Sequence, residues 1–165
     1  MPKRSWDHEN GCHYRSVPRV DRAWALALAH DGLAIVVNYA GSADDATEVV
    51  REIESARGAA FAVQADVAPA TDVARLFDQA GAAFRGIDVV VSSAGMITTG
   101  PIAEVDDGEF DRVTAVKLCG TFNVFREAAR RLRDDGCLIG CRARRWLSMR
   151  RAMASTTQPR ARSKA

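Results

Sequence analysis

The sequence has no apolar run that approaches the ~20 residues of a membrane-spanning helix, and its first residues lack the apolar core of a signal peptide. We therefore expect a cytoplasmic protein without a membrane partner. Cysteine is sparse, and Cys12, Cys119, Cys137 and Cys141 are most simply free thiols in such a chain. Together with His13, the last two could supply three metal ligands, but no second close Cys or His pair completes a four-ligand site. The sequence therefore predicts no metal.

Acidic residues are missing from the last 25 positions. Residues 141–165 hold eight of the 23 basic residues and none of the 21 acidic ones, which leaves 15 basic and 21 acidic residues in 1–140. Such a basic segment could bind nucleic acid, but it has no aromatic residue besides Trp146 to stack on bases. A non-specific polycation is the stronger interpretation, so we expect 141–165 to be a disordered basic tail and do not expect a nucleic-acid partner.

The middle of the chain alternates between helix and strand patterns. The length of 165 residues suits one domain, and the 47% hydrophobic content is ordinary for a globular protein. The pattern predicts strands over 33–37, 60–64 and 87–91, a further strand starting at 138, and helices over 22–30, 42–58, 73–84 and 111–132. Ser42 is the expected cap of the second helix. Strands separated by helices indicate a parallel sheet. Residues 1–19 show no regular period of hydrophobic residues. We expect this divergent N-terminal segment to be poorly ordered.

The most informative motif is the apolar run Val89-Val90-Val91, which ends abruptly in Ser92-Ser93-Ala94-Gly95. A buried strand that opens into small residues lets a nucleotide approach the backbone closely. With the helical run at 110–118, it resembles the fourth strand and following helix of the short-chain dehydrogenase/reductase family, usually written N-N-A-G and V-N-L. The resemblance covers residues 23–140. It implies that residues 20–140 form an incomplete doubly wound, Rossmann-like α/β domain, because members of that family run to roughly 250 residues.

The resemblance also implies where a nicotinamide cofactor would bind. Asn38 and Tyr39 follow the second strand, and the absence of an acid there resembles members that prefer NADP over NAD. The family's aspartate that binds the adenine amine matches Asp66, with Val67 beside it. Ser92, Ala94 and Gly95 complete the predicted cofactor-binding residues. The alternative for Asn38 and Tyr39 is a simple loop, and the alternative for Asp66 is a cap of the following helix.

The family's glycine-rich phosphate loop does not match this sequence. Its three glycine positions hold Arg15, Arg19 and Asp21, which would crowd or repel a pyrophosphate. A shifted reading frame is one explanation, because codons that encode Tyr14 to Arg19 read one base later as Thr-Gly-Ala-Ser-Arg-Gly. We therefore expect weakened binding of NADP or NAD.

The catalytic residues that the resemblance implies do not match this sequence either. The family's general acid is a tyrosine followed three positions later by a lysine, and no tyrosine follows Tyr39 here. Lys117 stands where the family carries an asparagine that holds a water, and a surface helix residue is the simpler interpretation. The serines at 148, 155 and 163 are more simply tail residues. The sequence predicts no catalytic residue.

Three functions remain open on the sequence alone. The leading one is a relative of this family, whose reaction is hydride transfer between a nicotinamide and a small carbonyl or alcohol, but impaired in catalysis. The second is an active NADP-linked ketoacyl-type reductase whose two terminal sequences are the result of annotation or sequencing errors. The third is a basic-tailed interaction protein that uses the sheet as a scaffold. In the family, the helix at 111–132 packs against a neighbouring subunit, so we also expect a homo-oligomer.

Overall fold

The structure, a computed structural model of the chain, describes the backbone of residues 3–8, 18–96 and 105–141 and the side chains of 21–96 and 105–141. The strands are β1 (Lys3–His8), β2 (Leu33–Tyr39), β3 (Ala60–Gln64), β4 (Ile87–Ser92) and β5 (Leu132–Gly140). The helices are α1 (Pro18–His30), α2 (Ala43–Ser55), α3 (Ala70–Phe84), α4 (Asp107–Thr114) and α5 (Thr121–Arg131). The expectations for Cys12, His13, Arg15, the side chain of Arg19 and the tail beyond 141 lie outside the described residues.

The five strands form one parallel sheet in the order β3-β2-β1-β4-β5. The order reverses between β1 and β4, as it does in a doubly wound α/β fold, and the predicted fold class is confirmed. The position of β1 corrects the expectation that all of 1–19 lacks regular structure. Its sequence, KRSWDH, is too polar to show the apolar pattern of a buried strand, yet its backbone pairs with β2 and β4 in the middle of the sheet.

Apolar side chains cover both faces of the sheet. Along β2, Leu33, Ile35 and Val37 pack with α1 and α2 in one cluster, whereas Val36 belongs to a second cluster with residues of α3 and α5. Successive residues of a strand point to opposite faces, so a strand buried on both faces reads as a continuous apolar run. This burial explains why β2 and β4 are evident from the sequence alone.

The ends of two helices differ in how well the sequence predicts them. Gly32 follows α1 with φ +86°, a left-handed conformation that glycine adopts readily, and its N–H donates to Ala29 at 3.0 Å. This confirms the predicted end of the first helix. Ser42 does precede α2, but its side chain makes no capping hydrogen bond, which corrects the prediction. The carbonyl of Ser42 instead accepts from Ala46 N at 3.2 Å and so begins the helical ladder.

The predicted helix over 111–132 is interrupted by a π-helical turn at Ala115–Gly120, between α4 and α5. Gly120 faces the turn that follows β3, where a Cβ atom would lie 2.6 Å from Val67 Cγ2. The helical run can therefore approach the end of β3 this closely only because residue 120 has no side chain. None of the helices in the described part of the chain combines the length and apolar character needed to cross a bilayer.

Strand β5 begins earlier than its apolar residues indicate. Leu132 pairs with Ile87 and Cys137 pairs with Val89, so residues 133–136 of β5 lie opposite the single residue Asp88 of β4. Arg133, in this irregular stretch, donates to Asp88 Oδ1 at 3.0 Å and to the carbonyl of Arg85 at 3.1 Å. The sequence Arg133 to Gly136 is polar, which is why the pattern predicts only the second half of the strand.

Replacing Gly120 with alanine should destabilise the fold, because the new methyl group would overlap the Val67 side chain. We expect Gly120→Ala to lower the free energy of unfolding by about 1 to 3 kcal/mol. Gly81→Ala is the matched control, since a Cβ at Gly81 in α3 meets no atom within 4 Å. That change should stabilise the helix by about 0.5 to 1 kcal/mol. Urea unfolding followed by circular dichroism measures both, and equal effects would contradict the assigned contact.

Candidate functional site

The candidate site lies at the carboxyl ends of the strands, beside the point where the strand order reverses. In open α/β sheets, ligands bind in the crevice outside this point. Here β1 and β4 pair side by side, α1 follows β1 in the chain, and Ser93 follows β4. Asp21, in the first turn of α1, accepts a hydrogen bond from the Ser93 side chain. This bond joins the two elements that border the crevice.

Asp21 is the unusual group of the site. Its side chain is buried, with 3% of the residue exposed, and its Oδ1 has no hydrogen-bond partner among the described residues. Burial raises the pKa of this carboxyl from its ordinary value of 3.8 to about 6, and the hydrogen bond from Ser93 works in the opposite direction. A helix N-terminus ordinarily favours a negative charge, but desolvation outweighs that preference here.

Asn38, a predicted cofactor-binding residue, directs its amide at the neighbouring strand. It is fully buried at the end of β2, and its Nδ2 donates to the carbonyls of Ala65 at 2.9 Å and Val63 at 3.2 Å. These carbonyls belong to the end of β3 and the turn that follows. The amide therefore fixes where the chain leaves β3. Tyr39, next in sequence, is half-buried, and its carbonyl accepts from Ala65 N at 2.9 Å.

Asn123 on α5 binds the same turn from the other side, and sequence reasoning missed it. Its Nδ2 donates to the carbonyls of Ala68 at 2.9 Å and Val67 at 3.2 Å. The sequence did contain a signal, because an asparagine on the buried face of an amphipathic helix needs a hydrogen-bond partner. The partner, however, lies 55 positions away in the sequence. We call residues 65–68, held by the two asparagine amides, the β3 turn.

Asp66 and Val67 point in opposite directions from the β3 turn. Val67 is fully buried against Gly120, whereas Asp66 is exposed. The Asp66 carboxylate accepts from Ala68 N at 2.9 Å, and Asp66 N donates to Asp72 Oδ2 at 3.2 Å. The carboxylate thus takes part in a local turn and does not cap α3, whose N-cap residue is Pro69, while its exposure leaves it accessible to a ligand.

The end of β4 supplies the remaining predicted residues. Ser92 is buried and its carbonyl accepts from Cys141 N at 2.8 Å, so it secures the end of β5. Ala94 and Gly95 are half-buried. A Cβ at Gly95 would lie 3.7 Å from Ser93 O, an ordinary contact, so no described neighbour requires glycine there. A ligand that approaches the backbone at this place would supply such a requirement.

Two further groups were considered on the sequence. Lys117 lies in the π-helical turn and is half-buried, which is less exposed than a surface residue; its carbonyl accepts from Thr121 Oγ1 at 2.7 Å. Cys119, Cys137 and Cys141 are exposed, and none of the three is in a disulfide with another described residue. Within 21–96 and 105–141, no three His, Cys, Asp or Glu side chains are placed to hold a metal ion.

The site fits the two ends of a dinucleotide unequally. The β3 turn is rigidly held, exposes one carboxylate and lies beside Asn38 and Tyr39, which suits an adenosine group. At the N-terminus of α1, where a pyrophosphate would bind, the buried Asp21 carboxyl has an oxygen without a partner. An ionised carboxylate at that place does not fit a phosphate.

Comparison with protein families gives one match over most of the chain. The family described as enoyl-(acyl carrier protein) reductase matches residues 21–156. The short chain dehydrogenase/reductase AacuN of Aspergillus aculeatus is 44% identical over 120 residues, which are 73% of this chain and 46% of that protein. The versicolorin reductase stcU of Emericella nidulans is 43% identical over 120 residues, with the same coverage of 73% and 46%. The matched part therefore spans less than half the length of these relatives.

Solved structures show the same likeness. A dehydrogenase/reductase from Sinorhizobium meliloti is 32% identical with a TM-score of 0.74, over 84% of this chain and 52% of that one. A short chain dehydrogenase from Burkholderia cenocepacia, solved in complex with NADP, is 26% identical with a TM-score of 0.76. That match covers 92% of this chain and 63% of the other.

The raised pKa of Asp21 predicts a pH-dependent loss of stability. The folded protein binds the proton more tightly than the unfolded chain, so this contribution to stability is present below about pH 4 and is lost as pH rises to about 6. Asp21→Asn removes the ionisation. Above pH 6 its free energy of unfolding, measured with urea, should exceed that of the parent by up to about 2 to 3 kcal/mol. This gain should vanish near pH 4.

The matched control for this measurement is Asp45→Asn, which removes an exposed carboxylate from the first turn of α2. It should lower stability slightly at neutral pH, since a charge that favours the helix N-terminus is lost. A gain for Asp21→Asn that is the same at pH 4 and pH 7.5 would contradict the assignment.

Proposed function

This chain belongs to the short-chain dehydrogenase/reductase family, and we propose that it acts as the dinucleotide-binding half of a reductase of that family, holding the adenosine end of NADP or NAD. The observation that carries the proposal is the β3 turn. Three of its four residues, those on either side of Asp66, are bound by the amides of Asn38 and Asn123, so the position of the exposed Asp66 carboxylate is fixed before any ligand arrives. A preformed site loses less conformational entropy on binding.

NADP is the preferred cofactor in this proposal. The end of β2 carries Asn38 and Tyr39 and no acid, and a carboxylate at that place would bind the ribose hydroxyls of NAD and repel the additional phosphate of NADP. The Burkholderia relative supports the preference, because its structure contains NADP. The substrate class is a small carbonyl or alcohol, in keeping with the reductase names of the relatives.

The 165-residue chain by itself should not catalyse the family's reaction. When bound, the nicotinamide would supply or accept a hydride, but the accompanying proton needs a donor held beside the substrate. The sequence contains two tyrosines, Tyr14 and Tyr39. Tyr39 is at the end of β2, separated from β4 by β1 in the strand order, so it is poorly placed to protonate a substrate beside Ser93.

Adenosine 2′-phosphate is a suitable probe of the proposed adenosine site, because it carries no pyrophosphate. We expect its addition to shift the amide NMR signals of residues 38–40 and 66–68 in the parent chain. Asp66→Asn should lose the shifts, although an asparagine oxygen can still accept from Ala68 N and preserve the turn. Asn123→Ala should weaken the response by releasing the carbonyls of Val67 and Ala68.

Thr47→Ala is the matched control for these variants, since Thr47 bonds only within α2 on an exposed surface. Absence of shifts in the parent, or equal shifts in Asp66→Asn, would overturn the proposed site. NADPH oxidation with ketones and ketoacyl thioesters tests the second half of the proposal. We expect no turnover, and turnover at ordinary enzyme rates would favour an active reductase instead. Salt-sensitive retention on nucleic acid would favour an interaction protein.

The helical run 107–131 is the proposed surface for self-association. Phe110, Leu118 and Phe122 on this run are 63%, 67% and 60% exposed. Exposed apolar groups along one helical run favour association, because contact with a second copy removes them from water. The combined change Leu118→Glu and Phe122→Glu should convert an associating chain into a monomer in light scattering. Trp24→Glu on α1, which packs on the other face of the sheet, should leave association unchanged.

A further inference from the structure

Asp21 lies at a place where the fold otherwise attracts anions. It is in the first turn of the 13-residue helix α1, at the border of the crevice between β1 and β4, and it bonds Ser93 across that border. Its Oδ1 is buried and has no partner among the described residues. We propose that the ionised Asp21 carboxylate excludes phosphate from the N-terminus of α1, so that a dinucleotide binds there only when this carboxyl takes up a proton. The inference rests on the proposed function and adds a regulation to it.

The physical reason is a competition between two negative groups for one helix terminus. The free N–H groups and the dipole of a helix N-terminus favour a phosphate. A buried carboxylate in the first turn occupies the same favourable potential, and water cannot screen its repulsion of a second anion. Protonation removes that charge and turns the unpartnered oxygen into a hydroxyl that can donate to a phosphate oxygen. The same carboxyl thus opposes the ligand in one state and can bind it in the other.

Among the side chains that the structure describes, none is a cation paired with Asp21. Arg22, the next residue of α1, extends to Glu52 on α2 and pairs with that carboxylate. From β2, the residues packed on this side are the apolar Leu33, Ile35 and Val37. From the end of β4, the contact is the uncharged Ser93. His30 ends the helix on the opposite side, and Asp31 follows it. The side chains of β1, Arg15 and Arg19 are outside the described residues.

The consequence is a binding affinity that changes with pH. The pKa of Asp21 in the free protein is about 6, so at pH 7.5 the carboxyl must gain a proton before the ligand binds. Linkage of one proton makes the dissociation constant rise about tenfold for each pH unit above this value and leaves it flat below. The proton comes from solvent and returns there when the ligand leaves.

NAD is the probe for this test, because its pyrophosphate keeps one charge state between pH 5 and 8. Calorimetric titration at pH 5.5, 6.5 and 7.5, in two buffers of different ionisation enthalpy, gives both the affinity and the protons taken up. The parent chain should take up close to one proton at pH 7.5 and only about a quarter of a proton at pH 5.5. Asp21→Asn should bind with no proton uptake, with the same affinity at each pH, and at least tenfold more tightly than the parent at pH 7.5.

Asp45→Asn is the matched control, because it removes a carboxylate from the first turn of α2 rather than α1. It should keep the pH dependence of the parent. If Asp21→Asn does not fold, carbon-13 NMR of the parent serves instead, and NAD should raise the pKa of the Asp21 carboxyl.

A parent chain whose affinity for NAD does not change with pH would overturn the inference, as would failure of both chains to bind NAD at any pH. Both results leave the proposed function standing if adenosine 2′-phosphate still shifts residues 66–68. Loss of those shifts would instead count against the adenosine site itself, whatever NAD does.

Discussion

A buried parallel sheet leaves backbone carbonyls without strand partners where its strands end, and the geometry of this site depends on how they are bound. At the end of β3, the amides of Asn38 and Asn123 bind four such carbonyls. Unpaired buried carbonyls are costly, so both amides are needed to keep the turn in one conformation. Because the amides come from β2 and α5, the position of the turn depends on both the sheet and the helix that packs on it. Gly120 sets how closely α5 approaches.

The same edge of the sheet contains an opposing constraint. A helix N-terminus that faces a crevice is suited to an anion, yet here that place is taken by a buried carboxyl of the chain itself. The two halves of the crevice therefore have different character: one is a rigid turn with an exposed carboxylate, and the other is a desolvated acid. A protein of this family can retain one half of a ligand site while the other half changes its electrostatics, because the two are built from different strands.

Much of this architecture follows from the sequence, and the exceptions have physical causes. Strands β2 to β4 are predicted correctly, and for the central strands β2 and β4 the reason is that burial on both faces favours nearly unbroken apolar runs. Strand β1 is not predicted, since its pairing is made by the backbone and five of its six residues are polar. At the site, Asn38 and Asp66 are named from their positions after strands, but the partners of the Asn38 amide cannot be read from spacing. Asn123 was missed because its partners are distant in sequence.

The central place of β1 also bears on how the chain folds during synthesis. Of the five strands, β1 is synthesised first, but its partner β2 ends at Tyr39 and its other partner β4 ends only at Ser92. The half-sheet β3-β2-β1 can therefore assemble early, with the far side of β1 exposed as an unpaired edge until β4 arrives. During that interval, the edge is open to strands of other nascent chains. The speed of elongation through residues 40–92 thus sets how long the growing chain is exposed to mispairing.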